Sequence, residues 1–307
     1  MKRSFKDYLT ISLKGIAMCA ADVVPGVSGG TIAFISGIYE ELLETINSVN
    51  FKALKILRTD GLKAMWKAIN GSFLISLLLG IAISILSLAK IIKWLLENKP
   101  ILVWSFFFGL VLASIFYIGR QIKHWNILTI ILLILGGLIA FYITTLPPMS
   151  NSYSSHWFMF FAGSLAICAM ILPGISGSFI LLLLGAYKPV LDALHEKDIK
   201  IIFVLISGAI IGLLTFSRIL KWMFDKYRNL TLAVLTGFVA GSLNKIWPWK
   251  RVLESEVFNG KLKIIQEESI SPFVYEGNPE ILWALLLAIV GILVIVLLEK
   301  SANLKVN

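Results

Sequence analysis

Two short motifs contain the residues of this chain whose types and spacing best suit anion binding. The first runs from Ala21 to Tyr39 (ADVVPGVSGGTIAFISGIY) and the second from Ala169 to Tyr187 (AMILPGISGSFILLLLGAY). Each interrupts an apolar stretch with Pro-Gly-x-Ser-Gly, a pattern that ends one helix and begins the next. Unpaired backbone N–H groups at a helix N-terminus, beside hydroxyl groups, suit an anion, and phosphate in particular.

Each motif divides into a turn and the residues that follow it. We expect the turns at Pro25, Gly26, Pro173 and Gly174. The expected phosphate-binding residues are Ser28, Gly29, Gly30, Thr31, Ser176, Gly177 and Ser178. Tyr39 and Tyr187 close the two motifs at equivalent positions, and we assign them a supporting role. For a single copy, a tight turn that packs two helices together explains the motif as well, but its duplication favours a functional site.

Charged residues beside the motifs form a second set of candidates, because charged groups within a membrane are costly and usually functional. This set is Lys14, Asp22, Glu40, Arg120 and Arg218. Asp22 lies three residues before Pro25, where it can hold a coupling proton, pair with Lys14 or cap the broken element. Arg120 and Arg218 end apolar runs, and anchoring of a helix end is favoured over contact with a phosphate head group.

The composition predicts the kind of element that positions these residues. The chain has 307 residues, of which 58% are hydrophobic and only 15% charged, whereas a soluble protein carries about a quarter charged residues. Several uncharged runs are long enough to cross a hydrocarbon core of about 30 Å. We therefore predict an all-α polytopic membrane protein of the cytoplasmic membrane. The basic N-terminal stretch lacks a signal-peptide pattern and is expected to be retained.

The remaining composition argues against metals, other cofactors and nucleic acid. Cys19 and Cys168 lie in apolar surroundings and are interpreted as small core residues rather than metal ligands or a disulfide. The three histidines share no ligand spacing. The net charge of +10 is attributed to cytoplasmic segments that contact anionic membrane lipids. The oligomeric state stays open.

The chain also repeats itself. The first motif aligns with the second, and further glycines align in the same order, Gly80 with Gly208, Gly109 with Gly237 and Gly137 with Gly291. We therefore divide the chain into two repeats, 1–150 and 151–307, each with a re-entrant helical hairpin and three transmembrane helices. Because three is an odd number of crossings, the second repeat is expected to be inverted in the membrane.

The predicted elements have the following bounds. The first repeat has a hairpin at 9–46, interfacial helices at 50–69 and spans at 71–90, 101–120 and 127–146. The second has a hairpin at 156–194, spans at 201–220, 229–246 and 280–298, and an extracellular loop at 247–279. Basic residues concentrate in the segments that this topology places inside, so both termini are predicted to be cytoplasmic.

The two motifs resemble those of a known family. KGIAMCAADVVPGVSGGTIAFISGIYEELL and AMILPGISGSFILLLLGAY closely resemble the polyprenyl-phosphate transporter family of bacteria and archaea. The resemblance implies a flippase that returns undecaprenyl phosphate, or a related polyprenyl phosphate, from the outer to the inner leaflet for reuse in cell-wall polymer synthesis. The matching charged positions are Lys14, Asp22 and Glu40. The other matching positions are Pro25, Gly26, Ser28, Gly29, Gly30, Thr31, Gly37 and Tyr39 in the first motif and Pro173, Gly174, Ser176, Gly177, Ser178, Gly185 and Tyr187 in the second.

The expected mechanism is alternating access at a phosphate site near the bilayer midplane, where inverted repeats place interrupted helices. Two alternative functions stay open. A membrane lipid-pyrophosphate phosphatase needs a base and cationic groups beside its nucleophile, yet neither Pro-Gly motif contains Arg, Lys or His. A small-anion transporter can use the same site. The chain is therefore predicted to be a transporter rather than an enzyme.

Overall fold

The computed structural model describes residues 3–24, 26–149, 155–258 and 261–303. In the first half, the helices are α1 Phe5–Asp22, α2 Gly29–Ile35, α3 Tyr39–Ser48, α4 Phe51–Ala68, α5 Gly71–Leu86, α6 Leu88–Asn98, α7 Pro100–Arg120 and α8 Ile127–Thr145. The second half contains α9 His156–Ile171, α10 Gly177–Leu183, α11 Tyr187–Glu196, α12 Ile199–Ser242, a 3₁₀ turn Leu243–Ile246, β1 Lys250–Phe258, β2 Lys261–Ser269 and α13 Ile281–Asn303.

Among the described residues, three helices are long and apolar enough to cross a membrane, namely α7, α8 and α12 with its 3₁₀ extension, and up to five spans result if bent helix pairs are counted. The chain is therefore a mostly helical, multi-pass membrane protein. Helix α12 and its 3₁₀ extension to Ile246 cover both spans predicted at 201–220 and 229–246, and the backbone of α12 is non-helical at Tyr227. Likewise α4 bends at Gly61, where φ is +81°, inside the segment predicted as interfacial helices.

The span predicted at 71–90 is interrupted. Helix α5 ends at Leu86 and the amphipathic α6 begins at Leu88. Ser87 lies between them with non-helical dihedrals, and its hydroxyl donates to the carbonyl oxygen of Ile83 at 2.6 Å. Such a bond from a serine to the preceding turn competes with the regular helix and bends it. Helix α5 therefore ends four residues before residue 90, the predicted end of this span.

The predicted loop at 247–279 contains an antiparallel pair of strands, β1 and β2. Both strands, KRVLESEVF and KLKIIQEES, mix charged residues with apolar residues that include the β-branched Val252, Val257, Ile264 and Ile265, and β-branched residues favour strands. The all-α prediction is therefore wrong for this segment, although the rest of the described chain agrees with it. The charge of the segment favoured a loop, and neither strand has the strict alternation of apolar and polar residues that predicts a strand.

Glycines at equivalent positions allow the first helix of each half to approach its neighbour closely. A Cβ added to Gly80 of α5 would lie 1.9 Å from the carbonyl oxygen of Ser12 in α1. One added to Gly208 of α12 would lie 2.0 Å from that of Phe160 in α9. Both contacts exclude any side chain larger than hydrogen, which explains why the two halves have glycine at the same place.

A second pair of equivalent glycines joins the two halves. A Cβ on Gly109 of α7 would lie 2.0 Å from the carbonyl oxygen of Ala288 in α13, and one on Gly237 of α12 would lie 2.1 Å from that of Leu133 in α8. The last helix of each half thus packs against the other half. This reciprocal packing agrees with two copies of one unit. Their inversion across a membrane stays a prediction.

The molecule has two distinct ends. At one, which we call the basic end, Arg3 pairs with Glu41 of α3 and Lys221 of α12 pairs with Glu44 of α3. At the other, which we call the strand end, Ile101 packs with Trp249 beside β1. Helix α7 connects the two ends, and its 21 residues span about 30 Å at 1.5 Å per residue.

Candidate functional site

The structure brings the two Pro-Gly motifs into contact. We call residues 26–31 the first tip and residues 172–178 the second tip. The Ser28 hydroxyl donates to the carbonyl oxygens of Met170 at 3.0 Å and Leu172 at 3.2 Å. In return, the backbone N–H of Gly174 donates to the Thr31 hydroxyl at 3.0 Å. Hydrogen bonds in both directions therefore hold the two tips together.

Glycine at the start of α2 makes this contact possible. A Cβ on Gly30 would lie 2.4 Å from the carbonyl oxygen of Ile171, at the end of α9. Similarly, a Cβ on Gly177 would lie 2.7 Å from the carbonyl oxygen of Ala166 in α9, so α10 also needs glycine at its first position. Both glycines are thus required by close approach of the backbone.

The turns lie where the sequence predicts them. Gly26 and Gly174 have φ values of +83° and +94°, a region that favours glycine. Pro173 is buried beside the second turn, and Pro25 lies outside the described residues. A Cβ on Gly26 would meet the side chain of Lys245 at 2.6 Å, so that lysine crosses directly over the first turn.

The prediction of unpaired N–H groups in the first tip is wrong for this structure. The Asp22 carboxylate accepts a hydrogen bond from the N–H of Gly29 at 2.7 Å, and the Ser28 hydroxyl accepts one from Gly30 at 3.1 Å. Ser28 and Thr31 have no exposed surface. The side chains of Asp22 and Ser28 therefore act as helix caps, and the first tip is closed. Capping is therefore the one of the three roles considered for Asp22 that the structure shows.

Substitution of Asp22 separates capping from charge. We expect Asp22→Ala to leave the buried N–H of Gly29 without its acceptor, which costs about 1–3 kcal/mol. Asp22→Asn keeps a side-chain oxygen that can accept this hydrogen bond. We therefore expect it to keep the melting temperature of the wild type and a transport rate within about threefold of it. Melting in detergent and transport in liposomes measure both effects. Equal damage by the two substitutions would contradict the capping role and indicate a need for the charge.

The second tip is more open than the first. The hydroxyls of Ser176 and Ser178 lie 2.8 Å apart. Ser176 is buried, whereas Ser178 is exposed. The two tips thus differ in accessibility although their sequences are equivalent.

A cavity of about 410 Å³ opens at the basic end, beside α2 and α3. We call it the basic-end cavity, and it is lined by Phe34, Gly37, Tyr39, Glu40, Tyr117, Arg120 and Gln121. The buried ring of Tyr39 packs against Phe34 and Phe224, and among the described residues its hydroxyl finds no hydrogen-bond partner. Glu40 pairs with Arg228 at 2.7 Å, a residue that the sequence did not single out.

A second cavity, of about 310 Å³, opens at the strand end. We call it the strand-end cavity, and it contains Lys245, Lys250 and Glu267. Sequence reasoning missed these three residues because the charges of their segment nearly balance. The available signal was Lys245 itself, a basic residue at the end of an apolar helix.

Burial and charge shift the pKa values of Lys250 and Glu267, which lie beyond the end of α12 and its 3₁₀ extension. Burial lowers the pKa of Lys250 to about 8, although the neighbouring Glu267 carboxylate opposes that shift. Burial alone would raise the pKa of Glu267, but Lys250 and Lys245 outweigh it and hold that pKa below its usual value. Glu267 is therefore an anion at neutral pH.

The other candidates lie outside the contact between the tips. The Lys14 ammonium donates to the carbonyl oxygen of Ser36 at 2.5 Å and so caps the end of α2. Arg120 lines the basic-end cavity, while Arg218 is exposed on α12 away from both cavities. Tyr187 is half-buried at the start of α11.

Comparison with known proteins identifies the family. The sequence pattern described as undecaprenyl phosphate translocase-like matches residues 18–263, which is most of the chain. The chain belongs to this family. It is 47% identical over 302 residues to a polyprenyl-phosphate transporter of Vibrio cholerae, a match that covers 97% of this chain and 98% of the relative. The prediction of this family is thereby confirmed.

A second relative agrees with this assignment. A polyprenyl-phosphate transporter of Staphylococcus aureus is 29% identical over 253 residues, which cover 77% of this chain and 85% of the relative. No solved structure matches the chain. The prediction of a transporter rather than an enzyme is confirmed by the family and by both relatives.

Proposed function

We propose that this chain moves a polyprenyl phosphate, undecaprenyl phosphate or a close relative, from the outer to the inner leaflet of the cytoplasmic membrane by alternating access. Such transport returns the lipid carrier for reuse in cell-wall polymer synthesis. One observation carries the mechanism: the hydrogen-bonded contact between the two tips separates two polar cavities at opposite ends of the molecule.

The main physical obstacle to transport of this lipid is its charged phosphate group. The charged phosphate cannot cross hydrocarbon unaided because it loses its hydration there, while the long tail can stay in lipid. Opening of the tips would free the Ser28 hydroxyl and the Gly174 N–H from each other's tip. Both are hydrogen-bond donors that can replace water around phosphate oxygens. The phosphate would thus substitute for the contacts between the tips.

The orientation follows from charge. We place the basic end in the cytoplasm because α4 carries Lys52, Lys55, Arg58, Lys63 and Lys67, and cytoplasmic segments are enriched in Lys and Arg. Helix α1 begins at that end, where Arg3 pairs with Glu41. In contrast, α9 runs parallel to the first part of α12, towards the basic end. This opposite direction supports two inverted repeats whose broken elements enter from opposite sides.

The test is leaflet exchange of labelled undecaprenyl phosphate in liposomes that contain the purified chain. We expect exchange at least tenfold faster than in protein-free liposomes, and no acceleration for undecaprenol, which lacks the phosphate. An exchange rate equal to that of protein-free liposomes would contradict the proposal. Flux of small phosphate or sulfate ions without lipid exchange would instead indicate a small-anion transporter.

A further inference from the structure

We propose that Lys245 and Lys250 form the site that first binds the phosphate group of the lipid at the strand end, and that the Glu267 carboxylate occupies the place of that phosphate when the lipid is absent. The ligand class is a phosphate monoester on an apolar chain. This inference rests on the proposed function and extends it to a cluster outside the two Pro-Gly motifs.

The geometry of the cluster suits an exchange of anions. One oxygen of Glu267 accepts hydrogen bonds from the ammonium groups of Lys250 at 2.6 Å and Lys245 at 3.1 Å. Two cations therefore share a single carboxylate, and the three side chains have a net charge of +1. A phosphate monoester carries about −1.5 to −2 charges at neutral pH. It would balance the two ammonium groups more fully than the carboxylate does.

The two lysines are also held in place by groups other than Glu267. The Lys250 ammonium lies 3.8 Å from the ring centre of Trp104 and donates to the carbonyl oxygen of Lys245 at 2.7 Å. The Lys245 ammonium lies 5.0 Å from the ring centre of Phe179. Cation–π contacts of this kind stabilise a desolvated ammonium. Both ammonium groups are thus held in position to bind another anion when the Glu267 side chain moves out of the cluster.

The position of the cluster connects the strand-end cavity to both tips. The side chain of Lys245 crosses the turn at Gly26 in the first tip, and Phe179 belongs to α10, directly after the second tip. On its other side the cavity is lined by Phe141 of α8, whose side chain is half exposed on a helix of the length that crosses a membrane. A phosphate at the lysines would therefore have its tail beside lipid and the tips within reach.

The experiment measures equilibrium binding of labelled undecaprenyl phosphate to the purified full chain in detergent. We expect Lys245→Met and Lys250→Met to weaken binding at least tenfold, because each removes one of two cations. We expect Glu267→Gln to strengthen binding about fivefold, because it removes the competing internal anion. Undecaprenol should not compete with the labelled lipid. Displacement by inorganic phosphate alone at equal concentration would overturn the assignment to a lipid.

An ion pair elsewhere at the strand end provides matched controls. Lys99 and Glu280 pair at 3.3 Å and do not line the strand-end cavity. Lys99→Met and Glu280→Gln make the same charge changes, and we expect each to alter affinity less than twofold. If the cluster only stabilises the fold, Glu267→Gln will lower the melting temperature without any gain in affinity, and that result would overturn the inference.

The two proposals fail in different ways. A wild-type chain that exchanges the lipid while all three cluster variants bind it normally would refute only the lysine site. A wild-type chain that neither binds nor exchanges undecaprenyl phosphate would refute the proposed function itself. Because Glu267→Gln is expected to gain affinity, its result does not depend on whether a lysine variant folds.

Discussion

Gly30→Ala is expected to abolish transport, with a loss of at least tenfold. The added Cβ would lie 2.4 Å from the carbonyl oxygen of Ile171 and 3.1 Å from that of Met170. Both neighbours are backbone atoms at the end of α9, which cannot yield as a flexible side chain does. The two tips would be forced apart, and the hydrogen bonds of Ser28 to α9 would lengthen. Leaflet exchange in liposomes measures the loss.

Gly119→Ala is the matched control for this substitution. Gly119 lies within a helix, and a Cβ there would have no neighbour closer than 4.0 Å, the methyl group of Thr236. We expect the control to keep its transport rate within about twofold and its expression unchanged. Equal transport by Gly30→Ala and Gly119→Ala would contradict the need for close contact between the tips.

Gly174→Ala is expected to have the second large effect, a loss of transport of at least tenfold together with a lower melting temperature. The residue has φ of +94°, and its Cβ would lie 2.8 Å from the Ser242 hydroxyl and 3.0 Å from the carbonyl oxygen of Phe238. The left-handed backbone alone costs about 1–2 kcal/mol for a residue with a Cβ. A shift to relieve the contacts would also move the Gly174 N–H away from Thr31.

Gly61→Ala separates the cost of the left-handed backbone from the effect of the close contacts made by the added Cβ. Gly61 has a similar φ of +81°, but a Cβ there would have no neighbour within 4 Å. We expect only the backbone cost at Gly61, seen as a smaller fall in melting temperature and a transport rate within about threefold of wild type. Thermal unfolding in detergent and leaflet exchange compare the pair. Equal loss of transport in Gly61→Ala and Gly174→Ala would contradict a role for the close contacts at Gly174.

Much of the architecture can be read from the sequence because membrane helices depend on local composition. Long apolar runs predict helices α7, α8 and α12, and Pro-Gly predicts where the broken elements turn. The internal alignment also predicts which glycines are equivalent, and Gly80 and Gly208 indeed make equivalent close contacts. These features depend on hydrophobicity and backbone preference, which neighbouring residues largely determine.

The candidate site depends more on contacts between distant residues. The capping of Gly29 by Asp22 requires a loop conformation that brings residues on either side of a turn together, and spacing alone left three roles open for that aspartate. The cluster of Lys245, Lys250 and Glu267 forms because β2 pairs with β1 and returns a carboxylate to two lysines. The segment as a whole is nearly neutral, so its net charge does not indicate this local excess of positive charge.

In the proposed mechanism, the contact between the tips opens alternately to the two sides of the membrane. Ser28→Cys, in a chain whose Cys19 and Cys168 are replaced by serine, tests it most directly, since Ser28 has no exposed surface in the closed contact. We expect a membrane-impermeant thiol reagent to label this cysteine from either side of the membrane while undecaprenyl phosphate is being exchanged. Labelling from one side only, or from neither, in a variant that still exchanges the lipid would contradict the account.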